Sequence, residues 1–196
     1  MQGVIEAWPP VLQQHLRSTD GRSSRQYAIA VLPCHCAIAA QQRAIKQSRG
    51  CLCCGDKRKS ELTKRMTAAI REVVDMHSNS ACLFMVEFPF DVGKRAPRRA
   101  DILLVPMLAS EWDQTVVIEI DPPSHYYNAD ARSHNCNIDS LEGKRDALLD
   151  ADEKKDQLYA QLGMHHLRVT MGSVWDDVHF QHVAAAVRNS MQRAGI

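Results

Sequence analysis

The sequence predicts an α/β domain over residues 60 to 196, preceded by a basic N-terminal arm at 1 to 33 and a small cysteine-rich segment at 34 to 59. Three observations carry this. From residue 60 the hydrophobic period changes in the order helix, three strands, helix, strand, helix. The third strand, in TVVIEIDPPSH at Thr115–His125, is a β-branched run closed by Pro122 and Pro123, which stop a ladder. Five of the seven cysteines fall at 34, 36, 51, 53 and 54, ahead of that pattern.

Composition sets the outer limits. At 196 residues the chain holds one well-buried domain and a small appendage, and 45% apolar with 24% charged residues is ordinary for a globular protein. No apolar run approaches the ~18 residues of a membrane span, so no membrane partner is expected. The formal net charge is +1, but residues 1 to 60 carry nine Lys/Arg against three acids. A basic front on an acidic body suits contact with a polyanion, or equally a solvated lead. The first thirty residues share their arginine-containing, acid-poor composition with organellar transit peptides and show no secretory signal. The cysteines without such a signal suggest a reducing, intracellular setting.

The elements follow in order. Val11 to Arg17 suits a short helix after Pro9 and Pro10. Cys51 and Cys54 have the CxxC spacing, followed by Gly55, that lets two thiolates reach one tetrahedral zinc ion, and the CxC pair Cys34 and Cys36 can supply the other two ligands, with Cys53 and His35 as competing donors. Free or redox-active thiols are the competing reading. Between the two pairs, Ala37 to Lys46 reads as helical. Ser60 caps a helix with Glu61 in its first turn, and Met66, Ile70, Val73 and Val74 recur at helical spacing to about His77. Strands follow at Cys82–Phe90, Ala100–Pro106 and Val116–Asp121, the first two joined by the basic connection DVGKRAPRR. Tyr126 to Asp139 lacks a period and reads as a long surface loop. A helix from Ser140 to Leu162, with Leu141, Leu148, Leu149, Leu158 and Leu162 as its apolar face, stops at Gly163. A fourth strand at Leu167–Thr170 and a helix from about Val174 to Arg193 end the chain.

Chemistry concentrates on the strand ends. Glu119 and Asp121 lie two apart and so share a face, and Asp101 opens the preceding strand. Buried like charges repel unless a cation joins them or protons stay on, and an oxygen-rich carboxylate set suits Mg²⁺, with Mn²⁺ as the alternative.

That order, with an acid on the second strand and an acid pair on the third, resembles the PD-(D/E)XK nuclease superfamily. It is most like two branches, the very-short-patch-repair-like endonucleases and the RAP domains of organellar RNA-handling proteins. The residues that carry the resemblance are Ser60-Glu61, Arg99-Ala100-Asp101, Val117-Ile118-Glu119-Ile120-Asp121 with Pro123-Ser124-His125, and Asp152-Glu153-Lys154-Lys155-Asp156 leading to Gly163 and Arg168-Val169. The resemblance covers Ser60 to Thr170 and implies a restriction-endonuclease-like αβββαβ core with a mixed central sheet. It implies Mg²⁺ or Mn²⁺ held by Asp101, Glu119 and the backbone carbonyl of Ile120, with Asp121 and Glu61 around that ion or at a second one. Lys155, or failing it Lys154, then orients the attacking water, and His125 acts as acid or base. Lys94, Arg95, Arg98 and Arg99 supply charge for a nucleic-acid backbone. The chain departs from the pattern at Pro122, where the family has glycine, in E-x-D instead of E-x-K, and in the long loop after His125. Two functions follow as expectations: a metal-dependent nuclease, DNA slightly ahead of RNA, or a RAP-like RNA-binding domain with little catalysis. A protein–protein module on the same scaffold is the third.

Overall fold

Met66, Ile70, Val73 and Val74 fall on one side of a helix, and all four are buried in the computed structural model of the chain. The structure describes residues 9–19, 27–31, 37–41, 61–77, 82–90, 98–121, 138–170 and 177–196. The described helices are α1 Pro10–Thr19, α2 Glu61–His77, α3 Ile138–Gln161 and α4 Asp177–Arg193. The strands are β1 Tyr27–Val31, β2 Ala37–Gln41, β3 Cys82–Phe90, β4 Arg98–Pro106, β5 Val116–Asp121 and β6 His165–Thr170. They form one mixed sheet in the order β1-β2-β3-β4-β5-β6, with β2/β3 and β5/β6 parallel and the other pairs antiparallel.

From residue 61 onward the α-β-β-β-α-β-α order agrees with the sequence reading. The segment before it does not. Ala37–Gln41, expected to be helical, is strand β2, and β1, which the sequence reading did not anticipate, pairs with it. The run AIAAQ, with three alanines and a glutamine, favours a helix by propensity, and pairing against Met85 and Val86 of β3 overrides it. The helix α1, within the expected arm, seats Val11 and Leu12 in the core, and its Val11 N–H donates to the Ala109 carbonyl at 3.1 Å.

Alternation on the strands divides the core between the two faces of the sheet. Ile102, Leu104, Val116, Ile118 and Ile120 pack with the buried faces of α2 and α4. Leu103, Val105, Val117, Met85, Phe88 and Phe90 pack with α1 and with Tyr159 of α3. The Glu119 and Asp121 side chains continue the Val117 row toward α3. Among the described side chains of α3, Tyr159 is buried and Leu158 packs against the same cluster, while Leu149 is 42% exposed, contrary to its expected place on the apolar face; the side chains of Leu141 and Leu148 lie outside the described residues. Gly163, at φ 74°, closes the helix with Met164 N–H on the Tyr159 carbonyl at 3.0 Å, a left-handed turn that glycine takes without a Cβ clash. Among the described residues no helix is long and apolar enough to cross a membrane.

Candidate active site

The site begins where two strands part. β4 and β5 are paired from Leu104–Val116 to Ile102–Ile118 and no further, while β5 stays in register with β6 as far as Asp121–Thr170. At the level where the ladder ends, the Asp101 carboxylate takes the place of a backbone acceptor: Ile120 N–H donates to its Oδ2 at 2.9 Å. The N–H and C=O of a strand residue leave by the same edge, so the Ile120 carbonyl emerges on the Asp101 side. On the other flank of β4, Glu87 adopts φ 53° between the Val86–Ile102 and Phe88–Ala100 pairs. A non-glycine residue there is strained, and beyond it Phe88 and its pair Ala100 pack in the same core cluster as Met85 and Leu103.

Glu119 is 2% exposed, and both of its oxygens are engaged by α3. Lys155 Nζ donates to Oε2 at 2.7 Å and the Tyr159 hydroxyl donates to Oε1 at 2.6 Å. The two donors are one helical turn apart and so lie on one side of α3. Burial raises the Glu119 carboxyl to about 7, against the opposing pull of Lys155; Asp101 adds like-charge repulsion, which sets the two carboxylates in each other's field. Burial likewise lifts the Tyr159 phenol well above its ordinary range, and Glu119 and Asp101 add to the lift, so the hydroxyl remains a donor.

Asp121, also 2% exposed, faces a different cation. Arg168 on β6 holds both its oxygens, at 2.7 and 2.8 Å, and reaches Asp156 Oδ1 of α3 at 2.7 Å with its other nitrogen. Asp152 Oδ2 lies 3.7 Å from the same guanidinium. Burial alone would lower the Arg168 pKa, but Asp121 and Asp156 outweigh it and raise it. His166 is pushed down chiefly by burial; its Nε2 lies 3.6 Å from Asp156 Oδ1, beyond a hydrogen bond, and its ring packs on Tyr159.

Of the residues expected at the site, the structure therefore brings together Asp101, Glu119, the Ile120 backbone and Lys155, with Asp121 beside them in the grip of Arg168. Lys154, the alternative to Lys155, is on the solvent side of α3 and pairs with Asp150. Arg98 donates to the Ala151 carbonyl at 2.6 Å, tying β4 to α3, and Arg99 is exposed. Glu61 is the first residue of α2, with its side chain outside the description. His125, Lys94, Arg95, Cys34, Cys36, Cys51 and Cys54 lie outside the described residues. Cys82 packs against the core, with its thiol pushed by burial up to about 12. Sequence reasoning did not pick out Tyr159 or the Asp121–Arg168–Asp156 link as site features; the available signal was the four-residue step from Lys155 to Tyr159.

As a donor set, two carboxylates and a carbonyl suit a hard cation that completes its shell with water. Among the described residues no three His, Cys, Asp or Glu side chains are grouped to hold a metal by themselves. Comparison with protein-family models, with curated proteins and with solved structures finds no match for this chain.

Proposed function

We propose that the protein is a metal-dependent nuclease that hydrolyses phosphodiester bonds, built on a restriction-endonuclease-like core. The observation that carries this reading is the meeting of Asp101, Glu119 and Lys155 at the point where β4 and β5 separate. Burying a carboxylate is costly, and Lys155 only partly offsets that cost at Glu119, whose proton affinity stays raised by burial first and by the neighbouring Asp101 charge as well. Asp101, Glu119 and the Ile120 carbonyl would hold Mg²⁺ or Mn²⁺, which when bound supplies charge neutralisation and a water of lowered pKa.

The chain's own groups do the rest. Lys155 carries three protons, so its ammonium can keep one on Glu119 and present another to a water or a phosphate oxygen. Asp101 and Ile120 hold the parted strands in fixed relation. Arg168 keeps Asp121 neutralised, so that this carboxylate neither repels a phosphate nor competes for the ion.

Cleavage of single- and double-stranded DNA and RNA with Mg²⁺ or Mn²⁺ tests the proposal. Metal-dependent cleavage that falls by at least about a hundredfold in Asp101→Ala and Glu119→Ala is expected. Cleavage by both variants at the wild-type rate would remove it. Salt-sensitive RNA binding without cleavage would favour a RAP-like binding domain instead. A zinc bound through Cys34, Cys36, Cys51 and Cys54 belongs to the same proposal; metal analysis of unchelated protein is expected to give one zinc per chain.

A further inference from the structure

We infer that Tyr159 is a positioning residue whose hydroxyl fixes the orientation of the Glu119 carboxylate for the cation. The inference rests on the nuclease reading of the same site. A carboxylate on a glutamate stem has three torsions, and a free one must surrender that freedom when it binds an ion. Here the Tyr159 hydroxyl holds Oε1 at 2.6 Å, which leaves the remaining lone pairs of both oxygens directed by its partner contacts.

Everything around the tyrosine is itself fixed. Its ring is fully buried and lies between Phe90, at 5.7 Å, and His166, at 5.3 Å between centroids. Phe90 is in turn set against Phe88, Trp112 and His15 of α1, so the ring plane is braced from the far side of the layer. The Tyr159 carbonyl is bound by Met164 N–H at the glycine turn, which fixes the backbone from which the ring hangs. A phenol held at ring, backbone and hydroxyl cannot follow a mobile carboxylate; the carboxylate must follow it. Lys155 cannot substitute, since its flexible stem is 22% exposed and its ammonium is shared with the reaction.

Outer partners of this kind typically contribute about ten- to a hundredfold to metal affinity or activity. Tyr159→Phe removes the hydroxyl and keeps the ring. In titrations with Mn²⁺ followed by thermal shift, its half-saturating concentration is expected to rise about tenfold. The Mn²⁺ activation constant for cleavage should rise with it, while KM for the nucleic acid stays put and kcat recovers at saturating metal. A tyrosine that served packing alone would lower Tm and leave the Mn²⁺ midpoint unmoved, and that result overturns the inference. Should Tyr159→Phe be unfolded at the assay temperature, its Mn²⁺ titration is read by direct binding at a lower temperature where it is folded, with the same two outcomes. If the wild type shows neither a metal-dependent shift nor cleavage, the nuclease reading falls and this inference with it. If the wild type responds and Tyr159→Phe responds identically, only the positioning role falls.

Discussion

Lys155 Nζ lies 2.7 Å from Glu119 Oε2, bridging α3 to the end of β5, whereas its neighbour Lys154 turns to Asp150 on its own helix. The two lysines are adjacent in sequence and have opposite environments, because a helix rotates successive residues by about 100°. Lys155→Met is therefore expected to lower metal-dependent cleavage by about a hundredfold or more while retaining nucleic-acid binding. Lys154→Met should cleave at the wild-type rate. Paired cleavage and binding assays on the two variants check this, and equal effects at the two positions would contradict the placement.

The pH dependence of stability follows from Glu119. Its carboxyl is raised from 4.5 to about 7, with burial as the main cause and Lys155 and Tyr159 opposing it. A group whose folded pKa exceeds its unfolded one stabilises the fold fully below the unfolded value, and that contribution is lost as pH rises through the folded value. Metal-free protein should thus lose stability from this group between about pH 4.5 and about pH 7. Glu119→Gln cannot ionise, so its unfolding free energy in urea should fall less over that window. Parallel stability–pH curves for the two proteins would show that Glu119 does not titrate there.

How much of this could be read in advance depends on what carried the signal. β5 was legible because a β-branched run ended by two prolines has few alternatives, and Asp101 because an acid opening an apolar strand is costly. Tyr159 was not, since a tyrosine at helical spacing looks like an ordinary core residue until its partner is known. Ala37–Gln41 failed for another reason. Its alanines carry no period, and the deciding term is pairing with β3, more than forty residues away. The Arg168 link was quoted only as part of a motif; that Arg168 and Asp121 meet depends on β5 and β6 being parallel neighbours, a fact of topology and not of spacing.

Arg168 joins β5, β6 and α3 through Asp121 and Asp156, and its loss would take from the buried Asp121 carboxylate the guanidinium that holds both its oxygens. Removing one partner of a buried pair costs about 3–5 kcal/mol; Arg168 is itself 20% exposed, so the lower end applies. Arg168→Ala is expected to lose about 3 kcal/mol in urea unfolding. Adding Asp121→Asn should recover part of that loss, because the buried carboxylate that the guanidinium served is gone. No recovery in the double variant would mean that the arginine acts through something other than Asp121.

Asp101 has two separable duties, and two substitutions tell them apart. Its Oδ2 satisfies the Ile120 N–H where the β4–β5 ladder has ended, and its charge contributes to the proposed cation site. Asparagine keeps an acceptor oxygen and removes the charge; alanine removes both. A buried N–H left without a partner costs about 1–3 kcal/mol, so Asp101→Ala should be less stable than Asp101→Asn by roughly that amount. Both should be equally deficient in metal-dependent cleavage, since neither supplies a carboxylate. Urea unfolding and cleavage assays on the pair give the answer. If the asparagine variant is as unstable as the alanine one, the Ile120 hydrogen bond is not what holds the parted strands. If it retains cleavage, the charge at this position is not what the reaction uses.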